Sequence, residues 1–222
     1  MKIILFTAIS LIFFFSACKK DAFESPVDLK KEYFPIINGN WIEYQVDSIY
    51  WGGLNPADTF SLIVRFQMDS SFIDNEGRKV NRMIKSIKKG NDYFINEVHT
   101  VFCTDRYIEK FENNLRLIKL VFPVKKNSYW NVNALNNHIQ TEAKYSSVDQ
   151  PFSIGNHTFD SCATVLIFDE ITLISVDFEE EVYAKDIGLI QYTSNHLTTK
   201  TNGTIEKGYK LNYTYLNSGT IN

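Results

Sequence analysis

Residues 60–68 read FSLIVRFQM, and this stretch predicts the fold of the chain. Apolar residues stand at every second position, from Phe60 to Met68, and the positions between them are mostly polar. A strand places successive side chains on opposite faces, so a period of two predicts a β-strand with one face on a core and one in water. The apolar positions are β-branched or aromatic in most cases, as strands favour.

The same alternation recurs along the chain in residues 42–46, 139–145 and 209–215. Gly, Asn and Pro clusters break the pattern between these runs, and residues 154–157 read IGNH, which predicts a hairpin. The best helical candidate is a short turn around residues 128–136. We therefore predict ten to twelve strands in a mainly β fold, with a single antiparallel, strongly curved sheet or partly closed barrel and little helix.

The first eighteen residues, MKIILFTAISLIFFFSAC, have the features of an export signal. Lys2 precedes an apolar run, residues 3–15, which as a helix would measure roughly 20 Å. That is too short for a bilayer core of about 30 Å. A basic residue, a short apolar core and small residues before a cleavage point are typical of a secretory signal peptide.

Phe15, Ser16, Ala17 and Cys18 resemble the lipobox of bacterial lipoproteins. The resemblance implies that the leader is cut before Cys18, that this cysteine carries palmitate-like acyl chains, and that they hold the protein on a membrane. Several chains are needed for stable anchoring, since one binds only marginally. The alternative is an ordinary secretory signal with an unrelated cysteine.

These features predict three parts: a lipoprotein signal peptide at residues 1–17, a lipidated Cys18 with a flexible tether at 18–32, and a single β-rich domain at 33–222. The expected location is the cell envelope, lipid-anchored in the outer membrane, with the periplasmic or surface face left open. The formal net charge of −3 argues against a nucleic-acid partner.

Two further segments carry a family resemblance. Residues 33–44, YFPIINGNWIEY, resemble the YFP…GN…W…Y opening of uncharacterised Bacteroidota-type lipoproteins, and residues 183–192, YAKDIGLIQY, are similar to a segment late in such chains. The resemblance implies a curved antiparallel sheet around an apolar hollow and brings no catalytic residues. Trp41 and Tyr44 are expected either to pack in the core or to form part of a ligand-facing wall.

Cys103 and Cys162 remain once Cys18 is assigned to lipid. In an oxidising compartment they can form a disulfide. The alternative is two separate buried thiols, because a free cysteine packs like a small hydrophobic residue.

The polar residues show no catalytic, metal or cofactor motif, and none is predicted. Histidines are expected to be solvated or singly bonded. Charged runs are expected to guard solvated strand edges. The residues concerned are His99, His138, His157 and His196, the acidic run Glu179, Glu180 and Glu181, and the basic group Lys85, Lys88 and Lys89.

Three functions are compatible with these observations. The first is a non-enzymatic lipoprotein whose curved sheet holds an apolar small molecule or lipid. The second is a structural or accessory lipoprotein that binds other envelope proteins or glycans. The third is a hydrolase with dispersed residues. The 17 Phe, 12 Tyr and 3 Trp can fill a large core or line a pocket.

Overall fold

The computed structural model describes residues 26–52 and 57–221; the signal peptide, Cys18 and the first part of the tether lie outside the described residues. Twelve strands account for most of the chain, and the described residues contain one 3-10 turn, Lys31–Tyr33, and no α-helix. The strands are β1 (Asn40–Trp51), β2 (Asp58–Ile73), β3 (Lys79–Lys89), β4 (Asp92–Cys103), β5 (Tyr107–Glu112), β6 (Leu115–Val121), β7 (Tyr129–Asn131), β8 (Glu142–Ile154), β9 (His157–Ile171), β10 (Ser175–Ala184), β11 (Gly188–Thr199) and β12 (Ile205–Thr220).

All twelve strands belong to one antiparallel sheet in the order β6-β5-β4-β3-β2-β1-β12-β11-β10-β9-β8-β7. Side chains and single backbone bonds join its two ends. The Ile118 amide donates to Val132 at 2.9 Å, the indole of Trp130 donates to Ile118 at 3.0 Å, and the hydroxyl of Tyr145 donates to the Val121 carbonyl at 2.8 Å. The sheet is therefore a nearly closed barrel, which confirms the predicted fold class.

Most strands and turns of the structure lie at the positions that the sequence alternation predicts. Residues 60–68 lie inside β2, and Phe66 and Met68 face the barrel interior. Ile154 ends β8 and His157 begins β9, with Gly155 at a φ of 56°, so the predicted hairpin is confirmed. The expected helical turn at residues 128–136 is wrong in its helical character, because Tyr129–Asn131 forms β7 beside β8, but non-helical turns follow at residues 132–135.

One end of the barrel is filled with apolar side chains and closed by the N-terminal segment. Val101, Ile108 and Leu120 are fully buried there. Tyr33 is buried against this core, and its hydroxyl donates to Asp149 at 2.7 Å. We call this the closed end; the opposite end contains the turns between β1 and β2, β3 and β4, and β9 and β10.

Residues 29–32 fall within the predicted tether but are bonded to the barrel. The Leu29 carbonyl accepts from Val124 at 3.2 Å, and the Glu32 carbonyl accepts from Asp186 at 2.8 Å. Residues 29–32 therefore belong to the folded barrel and not to a flexible tether.

The two segments that carry the family resemblance contact each other. The rings of Phe34 and Tyr183 lie 6.1 Å apart, and the Tyr44 hydroxyl donates to the Leu189 carbonyl at 2.6 Å. Gly188 has a φ of +105°, and a Cβ there would lie 3.5 Å from Ile42 Cδ1. Both segments thus form one structural unit in which the incoming chain closes the barrel over the β10–β11 turn.

A second, smaller core lies where the β8–β9 hairpin packs beside β10–β12. Phe159 meets Tyr215 with ring centroids 5.2 Å apart and nearly perpendicular. Register shifts along β8 allow this hairpin to bend, since a bulge locally turns a strand. The buried members of this cluster are Cys162, Val182, Ala184, Ile190 and Tyr215.

Candidate functional site: a charged cavity inside the barrel

The barrel encloses a cavity of about 540 Å³ above the apolar core of the closed end. This volume falls within the range of about 300–1,000 Å³ usual for small-molecule sites. Inward-facing positions of nearly every strand contribute to its wall. The apolar part of that wall includes Ile42, Phe66, Met83, Leu117, Leu189 and Leu211.

The barrel interior meets solvent at the end opposite the N-terminal segment. Tyr50 and Phe60 continue the inward-facing series of β1 and β2, yet they are 51% and 60% exposed. Inward-facing side chains can be this exposed only where the barrel interior meets solvent. At the closed end, Phe34 and Pro35 of the N-terminal segment line the cavity floor.

Charged side chains from β3, β4, β5, β6 and β10 line part of the cavity wall. Lys85 Nζ lies 2.9 Å from Glu97 Oε1, and Lys110 Nζ lies 2.5 Å from Glu112 Oε2. Lys119 is paired with Glu181, whose side chain is only 3% exposed. We call these three pairs, together with His99 and Glu179, the charged belt.

His99 connects two of these pairs. Its side chain is 4% exposed, with Nε2 3.0 Å from Glu97 Oε2 and Nδ1 3.1 Å from Glu112 Oε2. Only the Nε2 contact with Glu97 meets hydrogen-bond geometry, so His99 is singly bonded, one of the two alternatives expected from the sequence. The strand register explains the contact, because Met83 and His99 are partners on β3 and β4, one inward position from Lys85 and Glu97.

Burial and mutual attraction compete within the belt. Burial raises the pKa of Glu112, but hydrogen bonding with His99 and the charge of Lys110 lower it well below its usual range. Burial lowers the pKa of Lys119, but the charges of Glu181 and Glu112 raise it above its usual value. For Lys110 burial prevails and lowers the pKa, although the charge of Glu112 opposes it. The charged forms of these side chains therefore depend on their partners.

The charged runs do not guard edges. β10, which carries Glu179 and Glu181, lies between β9 and β11, and β3, which carries Lys85, lies between β2 and β4. The predicted role of protecting a strand edge is therefore wrong for these three side chains, which line the cavity. A recognisable signal existed: Lys85 stands two residues after Met83 and two before Ile87, in the apolar phase of its strand.

The other aromatic and sulfur candidates are distributed differently. Tyr44 is buried and lines the cavity, whereas Trp41 packs under the Arg65 guanidinium, 4.3 Å from its ring centroid. Cys103 and Cys162 are separate free thiols in the structure, which is the alternative that the sequence left open. Burial raises the pKa of Cys162 to about 11, so its thiol is protonated at neutral pH.

Within residues 26–52 and 57–221, no group of three His, Cys, Asp or Glu side chains is arranged to hold a metal ion. In that same part of the chain, neither His99 nor His196 hydrogen-bonds to a serine, threonine or cysteine; their partners are Glu97 and Asp177. No helix in the described ranges has the length and apolar character required to cross a membrane.

Comparison with family models gave no match, and comparison with curated proteins gave none. Among solved structures, the barrel is similar to the crystal structure of a "putative lipoprotein" from Parabacteroides distasonis. The identity is 10%, the TM-score is 0.34, and the match covers 84% of this chain and 98% of the other. The architecture described above therefore rests on the strand pairing of this chain itself.

Proposed function

We propose that this chain is a non-enzymatic, lipid-anchored lipoprotein of the cell envelope, with the outer membrane as its location, that binds a small molecule inside its barrel. The observation that carries the binding function is the cavity of about 540 Å³, which Phe34 and Pro35 of the N-terminal segment line at the closed end of the barrel. The anchor part rests on the leader and on Cys18.

The lining of the cavity restricts the type of molecule it can hold. Phe66, Leu117 and Leu211 suit the apolar body that the sequence predicts, whether lipid or another small molecule. The charged belt crosses the same cavity, and covering it with a wholly apolar ligand would bury charges without replacing their hydration. We therefore propose a molecule with an apolar body and at least one polar group.

Saturable binding of an apolar reporter dye tests the cavity directly. N-phenyl-1-naphthylamine, which fluoresces in apolar surroundings, is expected to bind the purified mature protein carrying Cys18→Ser at one site per chain. The double variant Leu117→Trp/Leu211→Trp adds bulk to two cavity-lining positions. It is expected to weaken dye binding at least tenfold, measured by fluorescence titration.

Leu216→Trp is the matched control, because this partly exposed leucine of β12 is not among the cavity-lining residues. Its dye affinity is expected to equal that of the parent protein. Equal binding by all three proteins, or a stoichiometry of many dyes per chain, would place the dye on the surface and contradict the proposed function.

The anchor has its own test. Cys18→Ser removes the only sulfur to which the lipobox resemblance assigns acyl chains. The variant is expected to move from the membrane fraction to the soluble fraction and to lose metabolically incorporated radiolabelled palmitate. A variant that remains in the membrane fraction after a high-salt wash would contradict the assignment.

One observation favours a second candidate, the accessory lipoprotein that binds other envelope proteins. Ile171, Leu173 and Ile174 are all exposed at the tip of the β9–β10 hairpin, at the end of the barrel opposite the N-terminal segment. Neighbouring exposed apolar side chains commonly mark interaction sites. If this candidate is correct, crosslinking in intact envelopes should yield one fixed partner with the parent protein and not with Leu173→Ser/Ile174→Ser.

A further inference from the structure

We infer that the molecule held in the cavity carries an organic ammonium group, which binds at Glu179, while its apolar body extends along the aliphatic wall. This inference rests on the proposed small-molecule binding and names the ligand class. The charge balance of the belt, the contacts of Glu179 and the aromatic rings around it support the inference independently.

One carboxylate of the charged belt has no lysine partner. Each of the three lysines of the belt pairs with one glutamate, and these pairs use Glu97, Glu112 and Glu181. Glu179 is the remaining carboxylate of the belt, and among the described residues no lysine or arginine nitrogen lies within 4.0 Å of it. A cationic ligand would complete the pairing, whereas an anionic ligand would have to displace a glutamate from its lysine.

Glu179 is directed into the cavity, and its side chain is 19% exposed. The Tyr192 hydroxyl donates to Oε1 at 2.9 Å, and this bond orients the carboxylate. The other oxygen, Oε2, has His196 Nε2 at 3.9 Å, beyond hydrogen-bond distance, and Nδ1 of that imidazole already contacts Asp177 Oδ1 at 2.8 Å. One carboxylate oxygen is therefore free to accept a hydrogen bond or ion pair from a ligand.

Aromatic side chains flank this carboxylate. Phe168 is the direct cross-strand partner of Glu179, and Tyr192 and Tyr213 stand edge to face with ring centroids 5.8 Å apart. All three line the cavity. The faces of aromatic rings attract ammonium groups, and the attraction grows as water is removed. A carboxylate beside several rings is thus the chemistry that recognises an amine or a quaternary ammonium.

The electrostatic state of Glu179 agrees with this geometry. Burial raises its pKa, and the charge of Glu181 adds to the effect, although Lys119 opposes it. A carboxylate in such surroundings gains stability from any positive charge brought next to it.

Three probes of similar size separate the ligand classes: decyltrimethylammonium, the net-neutral decyldimethylamine N-oxide, and decanoate. Each is titrated below its critical micelle concentration into the mature protein carrying Cys18→Ser, by isothermal titration calorimetry. The ammonium probe is expected to bind at least tenfold more tightly than either of the others. Glu179→Gln is expected to abolish that preference while leaving the affinity for the N-oxide within about twofold.

Glu180→Gln is the matched control, since this neighbouring glutamate of β10 is not among the cavity-lining residues. It should keep the full preference for ammonium. Phe168→Leu should lower affinity for the ammonium probe several-fold and barely change that for decanoate. If Glu179→Gln does not fold, the ranking of the three probes on the parent protein and on Phe168→Leu decides the matter.

The outcomes separate the inference from the proposed function. Similar binding of all three probes, or preferred binding of decanoate, overturns the ammonium assignment while the binding function stands. Failure of every probe to bind, together with failure of the reporter dye, overturns both.

Discussion

Lys119→Met is expected to lower the free energy of unfolding by about 3–5 kcal/mol, the range observed when one partner of a buried ion pair is removed. The side chain of Glu181, the partner of Lys119, is 3% exposed. Without Lys119, it keeps the hydrogen bond that the Tyr183 hydroxyl donates to it at 2.6 Å. Methionine preserves most of the bulk of lysine but leaves this carboxylate charged and unpaired. Urea denaturation followed by circular dichroism measures the loss.

Two control proteins make this result interpretable. Adding Glu181→Gln to Lys119→Met removes the stranded charge and is expected to recover most of the lost stability. Lys31→Met removes an ion pair with Asp105 on the exposed surface, so it should hardly change the denaturation midpoint. A loss below about 1 kcal/mol in Lys119→Met would mean that Glu181 is not held in a low-dielectric interior.

Gly208→Ala is the other substitution with a large expected effect, a destabilisation of about 3 kcal/mol or more. Gly208 has a φ of +124°, and a Cβ added there would lie 2.0 Å from the His196 carbonyl oxygen and 2.9 Å from Leu197 Cα. Both obstacles are backbone atoms of the paired strand β11, so only separation of the two strands relieves the clash. Thermal unfolding followed by circular dichroism measures the effect.

Gly203→Ala is the control that separates the effect of the steric clash on stability from the effect of the positive φ. Gly203 also has a positive φ, +83°, but nothing lies within 4 Å of the position that a Cβ would occupy. Its substitution should cost only the strain of a left-handed residue, about 1–2 kcal/mol. Equal losses at both positions would indicate that the close approach of β11 to Gly208 is not present in solution.

The sequence predicts the strands of this fold well and their closure poorly. Alternation in residues 60–68 is a local property, and it is enough to identify β2 and the face it buries. Closure depends on Tyr145 reaching Val121 and on Trp130 reaching Ile118, contacts between residues that share no local pattern. For this reason the sequence left a curved sheet and a partly closed barrel as alternatives.

The sequence left the cavity as one of two alternatives and did not reveal its charged lining. Abundant aromatic residues indicated either a filled core or a lined pocket, and the structure contains both. The pairing of Lys119 with Glu181 spans 62 residues of chain, and that separation hides it from any local pattern. Charged side chains in the inward phase of a strand, such as Lys85, were the signal, but the more common role of charge at a strand edge explained them equally well.

Native mass spectrometry of the protein purified, in gentle detergent, from the envelopes of the cells that make it can detect a bound molecule directly. We expect one small molecule per chain, released on unfolding, with an apolar body and a polar group. The same molecule should be missing or much reduced in Leu117→Trp/Leu211→Trp prepared in parallel. Recovery of the parent protein without any bound molecule, combined with an inability to take up the reporter dye, would contradict the claim that this barrel is a binding site.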